Sequence, residues 1–312
     1  MAPTLGDVLA AVITARVADL AEFERGARQD RPDAVHRYRV TLRRLRSVLA
    51  AFSGELEPVA AAAGLDLSTL TARLRDTARA FGLARDAEVN GELAADALAA
   101  GSVPAGADAG EIGQVLAEAA TAAYERYRRE AVEALDASGA DTLQAVLTAL
   151  ATAAGENAGA GASTRLTGDA GDALARTVDE QAAHVLRLAR KAKRAAPEEA
   201  AIALHEVRKK AKRLRYTLEE ITAHAVDVPP GRQDVVDAAH RIQKHLGTHH
   251  DSVGLTAFIR AVVTGRPATG PRALRTAAAF TAGELTGAER AVQQAALRKY
   301  RRARRDLRDA LV

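Results

Sequence analysis

Apolar side chains recur along almost the whole chain at the three- and four-residue spacing of α-helices. In residues 4–28, for example, Leu5, Val8, Leu9, Val12 and Ile13 fall on one face. The same spacing predicts helices over residues 33–52, 67–81, 83–100, 111–138, 141–154, 172–196, 197–227, 233–246, 251–263, 271–285 and 287–311. Alanine and leucine supply most of the 48% hydrophobic share, and aromatic residues make up only 3%. Because Ala, Leu, Arg and Glu are strong helix formers, the sequence predicts an all-α protein packed with small side chains.

Two segments of this pattern nearly restate each other. Residues 36–47 read HRYRVTLRRLRS, and residues 205–216 read HEVRKKAKRLRY. Aligned without a gap, they pair polar positions at i, i+3, i+7 and i+10, which lie within about 80° of each other around a helix. The first stripe is His36, Arg39, Arg43 and Arg46, and the second stripe is His205, Arg208, Lys212 and Arg215. The opposite side of each helix is apolar: Val35, Tyr38, Leu42, Leu45, Leu49 and Phe52 in one, and Leu204, Val207, Ala211, Leu214, Leu218 and Ile221 in the other.

A second match extends this repeat. Phe81-Gly82 followed by Asp86 corresponds to Leu246-Gly247 followed by Asp251. Such a long period is unlike that of a solenoid and predicts two related helical bundles. We expect one domain over residues 1–312, with bundles at 4–154 and 172–311 joined by a flexible glycine-rich linker at 155–171. A pseudo-twofold axis would let both stripes face one basic groove.

The charge is concentrated rather than large. The formal net charge is only +4, from 44 Lys and Arg against 40 Asp and Glu. No acid lies within residues 36–47, and only Glu206 lies within 205–218. Like charges four residues apart repel by roughly 0.2–0.5 kcal/mol per pair on an isolated helix. A solvated helix face is the plain alternative, but repeated repulsion without acidic partners predicts that a polyanion supplies the counter-charge.

Composition also removes several classes of function. The chain has no cysteine, which excludes disulfides and thiolate chemistry. Asp7 and Arg16 interrupt the apolar start, and no apolar run approaches the 18 residues of a membrane span. We therefore expect a cytoplasmic, soluble protein without a membrane partner.

The paired histidine–arginine motif, Glu219 after the second copy and the Gly-x-x-x-Asp matches resemble the CHAD family, the conserved histidine α-helical domain. The resemblance covers residues 4–311. It implies two pseudo-symmetric four-helix bundles around a basic channel that binds inorganic polyphosphate. Members are often fused to a strand-rich triphosphatase domain, for which this chain has no room. We therefore expect a stand-alone binding module that is directed to polyphosphate granules. The implied site residues are the eight of the two stripes.

The resemblance also suggests accessory cations. Arg44 and Arg213 match the motif, but they lie about 80° from the histidine around each helix. The remaining accessory candidates are Lys209, Arg79, Arg85, Arg187, Lys191, Lys244, His249 and His250. The basic end of the helix at 187–194 leaves two interpretations open, a channel rim or a solvated face. Polyphosphate carries a charge on every unit and no bases, so spaced guanidinium forks suit it independently of the family.

Other functions have less support in the sequence. His240, His245, His249 and His250 beside Asp251 look like metal ligands, but Gly247 is expected to interrupt their helix, and no HExxH pattern is present. Nucleic-acid binding remains an alternative, although five Tyr, five Phe and no Trp offer few stacking platforms. No nucleophile with a base, Walker loop or acidic metal cage is visible, which disfavours a metal-dependent phosphohydrolase. We therefore predict a non-enzymatic protein with no cofactor and no metal.

Overall fold

The structure is a computed structural model, and it describes residues 2–100, 109–138, 140–158, 166–224, 226–265 and 273–311. Across these ranges the chain is helical, which confirms the all-α prediction, and the only β-type pairing is an isolated bridge between Thr4 and Asp169. The helices are α1 (Leu5–Arg28), α2 (Ala34–Ala51), α3 (Ser53–Ala62), α4 (Leu67–Ala80), α5 (Gly82–Ala99), α6 (Ala109–Ser138), α7 (Ala140–Glu156), α8 (Ala170–Arg194), α9 (Pro197–Thr222), α10 (Gln233–Thr264) and α11 (Thr276–Asp309). Among the described helices, none is long and apolar enough to cross a bilayer.

Several predictions of helix boundaries were wrong. The helix predicted over 197–227 ends at Thr222, the one predicted from 271 begins at Thr276, and three further errors fall at a glycine or proline. The segment after α2 was expected to be irregular, but α3 forms there despite Gly54 and Pro58. Gly247 and Gly287 were expected to separate helices, yet α10 and α11 run through them without a break. A glycine costs a helix only about 1 kcal/mol, which the packing of neighbouring apolar side chains outweighs. Most of the loop predicted at 101–110 lies outside the described residues.

The chain divides into two compact units. Unit 1 comprises Met1–Phe81, Glu130–Gln243 and Ala303–Val312. Its core is built mainly on α1, α2, α4, α7, α8 and α9, and α1 meets α7 so closely that a Cβ on Gly6 would lie 2.8 Å from the carbonyl oxygen of Ala154. Both stripes belong to this unit.

Unit 2 comprises Gly82–Arg129 and Lys244–Arg302. Its core combines side chains of α5, α6, α10 and α11: Ala94, Ile112, Leu116, Leu255, Ile259, Ala278, Ala282 and Leu285. Each unit takes segments from both halves of the predicted repeat. The bundles at 4–154 and 172–311, their pseudo-twofold relation and the groove between them stay predictions.

Part of the predicted linker is held by backbone hydrogen bonds. Residues 159–165 lie outside the described residues, but 166–169 run beside the start of α1. The N–H of Leu5 donates to the carbonyl of Gly168, and the N–H of Gly6 donates to that of Leu166, both at 2.9 Å. Leu166 is fully buried. This end of the segment is therefore fixed to unit 1, in contrast to the flexibility that its glycines suggested.

Candidate anion-binding site on α2 and α9

The buried faces of α2 and α9 determine where the stripes lie. Leu42 and Leu45 of α2 and Val207 and Ala211 of α9 are completely buried. The eight stripe residues, on the adjoining faces, are half-buried. The two helices pack against each other in unit 1, and the hydroxyl of Thr217 donates to the carbonyl of Ser47 at 3.3 Å. The apolar pattern read from the sequence thus fixes the rotation of both helices.

Lys212 of α9 lies close enough to arginines of both stripes for their charges to act on it. Burial, followed by the charges of neighbouring arginines, lowers the pKa of Lys212 to about 6. These arginines are Arg43, Arg208, Arg215 and Arg39 in decreasing order of effect, so two come from each stripe. The four charges with the largest effect on this lysine are all positive. We call the five residues the Lys212 cluster.

Two further contacts define the surroundings of this cluster. The Nε–H of Arg43 is buried and has no hydrogen-bond acceptor in the part of the chain that the structure describes. The Nζ of Lys212 lies 5.4 Å from the ring centroid of Tyr216, and the Cζ atoms of Arg44 and Arg215 each lie 5.0 Å from it. Tyr216 is buried, so its ring serves as a partner for three cations and not as an exposed platform. The sequence pattern did not predict this role for Tyr216. The one signal for it was that Tyr216 is the last residue of the second copy of the motif.

The other stripe residues lie outside the Lys212 cluster. Arg46 is near the far end of α2, where burial and then the charges of Arg213 and Arg75 lower its pKa. His36 and His205 are half-buried at the opposite ends of their stripes. The structure therefore brings together five of the eight predicted residues around Lys212, while Arg46 is associated with Arg213.

A second group of charges between α2 and α9 was not predicted. Arg44 reaches Glu220 at 2.5 Å and Glu219 at 2.7 Å, and Arg16 of α1 lies 3.3 Å from Glu220. We call these residues the Glu220 cluster. Arg215 also approaches Glu219, at 3.4 Å. In the sequence, Glu219 was noted only as part of the family motif, and Glu220 was not singled out. Both glutamates neutralise part of the basic charge from within the protein.

The accessory candidates in unit 1 fall into separate places. Lys209 is exposed and pairs with Glu206 at 2.8 Å, and Arg79 is exposed near Asp76. Arg213 is half-buried, and burial lowers its pKa. It lines a cavity of about 450 Å³ together with Lys210 and Arg187. Lys191 and Arg187 line another cavity, of about 670 Å³. These positions are not part of the Lys212 cluster.

The remaining accessory candidates belong to unit 2. Arg85 is neutralised locally by Glu88 at 2.7 Å and by Glu92 at 3.3 Å. Lys244 and His250 are exposed on α10. His249 is half-buried, and burial followed by the charge of His250 lowers its pKa.

The predicted histidine group on α10 is spread along one continuous helix. His240 falls in unit 1, whereas His245, His249 and His250 fall in unit 2. Among the residues that the structure describes, no group of three His, Cys, Asp or Glu side chains could hold a metal ion.

Comparison with known proteins identifies the family of this chain. The CHAD domain family matches residues 11–260 of the chain. The chain belongs to the CHAD family. Two uncharacterised proteins of Mycobacterium tuberculosis, MT2285 of strain CDC 1551 and Rv2226 of strain H37Rv, are each 31% identical over 249 residues. The match covers 77% of this chain but only 42% of each relative, so the chain spans less than half of their length.

A solved structure supports the fold. PptA from Streptomyces chartreusis aligns over 96% of this chain and 99% of its own, with a TM-score of 0.64. Because the identity is only 18%, the similarity to PptA supports the fold of this chain and no more than the fold.

Proposed function

We propose that this CHAD protein binds inorganic polyphosphate, without catalysis, through the Lys212 cluster and the rest of the two stripes. The observation that carries the proposal is that arginines of two helices lie near Lys212 and that the four charges with the largest effect on its pKa are all positive. Gathering like charges in a half-buried place is unfavourable in the free protein. A bound polyanion removes that repulsion.

Polyphosphate matches the chemistry of these side chains. Each guanidinium offers a planar fork that donates two hydrogen bonds to phosphate oxygens. The buried Nε–H of Arg43 has no acceptor among the described residues, and a phosphate oxygen would supply one. A phosphate chain would also favour the charged form of the stripe residues His36 and His205. These eight residues, with the contacts described above, form the proposed site.

Nucleic acid is the competing ligand class. Single-stranded nucleic acids are held by stacking of bases on accessible aromatic rings. The ring nearest the cluster, that of Tyr216, is only 4% exposed and is already in contact with cations. The site therefore favours an anion without bases. Association with polyphosphate granules in the cytoplasm is part of the same proposal.

The test reverses one arginine in each stripe. We expect Arg39→Glu with Arg208→Glu to weaken binding of long-chain polyphosphate at least about a hundredfold, because each position loses a charge-assisted contact and gains repulsion. The matched control, Arg129→Glu with Arg301→Glu, changes the net charge equally at two exposed positions of unit 2. The control should weaken binding only a few-fold, as measured by isothermal titration calorimetry at constant salt.

Equal losses in the two double variants would indicate a diffuse basic surface and contradict the proposed site. A competition measurement decides the ligand class. If single-stranded DNA displaces polyphosphate at equal phosphate concentration, the nucleic-acid alternative is preferred. Circular dichroism should show the same helical content in both variants.

A further inference from the structure

A second concentration of positive charge contains none of the stripe residues. The C-terminal turns of α8 and α11, both in unit 1, line a cavity of about 360 Å³. One leucine and six cations form its lining: Leu186, Arg190, Lys193, Arg194, Arg304, Arg305 and Arg308. We propose that this α8–α11 cavity is a second binding site for a run of phosphate groups, separate from the Lys212 cluster.

The packing of the two helices explains why the cations gather there. Val185, Ala189 and Ala192 of α8 are buried, as are Ala303 and Leu307 of α11. The basic residues occupy the neighbouring positions of each helix and are therefore held at the edge of the core. Because these contacts hold the helix backbones in place, binding needs to order only the basic side chains, which limits its entropic cost.

Nearby acids neutralise only one of the six cations within the described residues. Asp306 is engaged by Arg241 of α10 at 3.3 Å, and Asp309 is engaged by Arg308 at 2.8 Å. No acid lines the cavity. The other five cations form no ion pair within the described part of the chain: Arg190, Lys193, Arg194, Arg304 and Arg305.

A plainer explanation accounts for some of these residues. Basic side chains in the last turn of a helix interact favourably with its dipole. One or two cations per helix end would provide this benefit. Here the ends of two helices contribute six cations to one cavity, and their mutual repulsion opposes the dipole benefit. A bound anion would offset the repulsion between the six cations, whereas the helix dipoles alone do not offset it.

The lining indicates the chemistry of the ligand. Five of the six cations are arginines, whose forks suit the tetrahedral oxyanion of a phosphate group. A volume of about 360 Å³ corresponds to roughly twelve water molecules, enough for several linked phosphates. No aromatic ring lines the cavity, so bases would find no stacking partner. The choice of linked phosphates as the ligand thus rests on the proposed function. The residues of the α8–α11 cavity are different from those of the two stripes.

The experiment isolates this cavity by working in a background whose stripes are disabled. Tripolyphosphate is titrated into the Arg39→Glu, Arg208→Glu variant, or into the milder Arg39→Gln, Arg208→Gln variant if the first loses helical content. We expect residual, salt-sensitive binding at about one site. Adding Lys193→Glu with Arg305→Glu, both exposed positions, should weaken that binding at least about tenfold.

The matched control adds Arg129→Glu with Arg301→Glu to the same background and should change affinity less than about threefold. No residual binding in the stripe-disabled background, or equal losses for the two added pairs, would overturn the second site. Displacement of tripolyphosphate by single-stranded DNA at equal phosphate concentration would overturn its ligand class. If reversing the stripes alone leaves affinity unchanged while reversing Lys193 and Arg305 abolishes binding, the proposed function of the Lys212 cluster fails and the α8–α11 site stands.

Discussion

Two groups of cations lie between α2 and α9, and they differ in where their counter-charge comes from. In the Glu220 cluster, Arg44 and Arg16 meet carboxylates of the same protein at 2.5–3.3 Å. In the Lys212 cluster, the four charges with the largest effect on the lysine are all positive. Neighbouring positions of one helix, Arg43 and Arg44, fall into different groups. The fold thus places carboxylates beside Arg44, which joins two helices. Its neighbour Arg43 has no such carboxylate among the described residues.

This difference separates two roles that the sequence motif combines. The Glu220 cluster fastens α1, α2 and α9 together, so its charges contribute to stability. The Lys212 cluster lowers the stability of the free protein and should recover that free energy when an anion binds. Such a conflict between local charge and fold stability is expected at functional sites. The following predictions test whether the two roles are independent.

The largest effect is expected from Glu220→Gln. This change leaves Arg44 and Arg16 facing a buried neutral group, since the Glu220 side chain is only 3% exposed. Loss of one partner from a buried ion pair should lower the free energy of unfolding by about 3 kcal/mol. Urea denaturation measures the change. Polyphosphate affinity should stay within about twofold of wild type.

Glu219→Gln provides the control for that prediction. The Glu219 side chain is 35% exposed, so its loss should cost less than about 1 kcal/mol. Equal destabilisation by the two substitutions would show that burial does not distinguish the carboxylates. An unchanged unfolding free energy for Glu220→Gln would contradict a fastening role for the cluster.

A smaller effect, of opposite sign, is expected from Lys212→Met. Burial and the surrounding arginines lower the pKa of Lys212 from 10.5 to about 6 in the folded protein. Between these pH values the unfolded chain binds one more proton, so the stability of the wild type rises with pH through this window. Below about pH 6 the lysine is protonated in both states, and this dependence levels off. Since methionine cannot titrate, the variant should lack this contribution.

The measurement is the difference in unfolding free energy between wild type and variant at pH 6, 7, 8 and 9. At pH 7 the variant should be more stable by more than about 1 kcal/mol, the equivalent of one pKa unit. The advantage should shrink as pH rises, because the wild type recovers stability. A difference that is constant with pH would mean that Lys212 titrates as an ordinary lysine.

The smallest effect compares two arginines of the Lys212 cluster. Arg215 already lies 3.4 Å from Glu219, whereas Arg43 makes no ion pair within the described residues. Arg43→Gln should therefore weaken polyphosphate binding about tenfold, and Arg215→Gln only about threefold, in calorimetric titrations. The reverse order would imply that Glu219 orients Arg215 for the ligand and does not neutralise it.

The sequence predicted the parts of this molecule that depend on local pattern. The apolar faces of α2 and α9 are buried as expected from Leu42, Leu45, Val207 and Ala211. These buried faces set the rotation of each helix, and therefore also the side of each helix on which its stripe lies. All-helical structure and family membership came from the same features.

What the sequence did not predict depends on contacts between distant segments. Arg44 and Glu220 are far apart in the chain, and only tertiary packing brings them together. Gly247 and Gly287 look like helix ends in the sequence because the packing that outweighs their cost is not local. The low pKa of Lys212 likewise depends on tertiary packing, first through burial and then in part through Arg43 and Arg39 of α2.

The backbone pairing at the start of α1 has a consequence for synthesis of the protein. Leu5 and Gly6 donate to carbonyls at 168 and 166, and the close approach at Gly6 involves Ala154 and Ala158. At about 5–20 residues per second, a ribosome needs roughly 10–30 s to make the residues between these partners. During that interval the first turn of α1 has no native partner for these amides. The first turn of α1 therefore cannot complete these hydrogen bonds until about residue 168 has been made, and a shorter nascent chain would leave its amides open to chaperones.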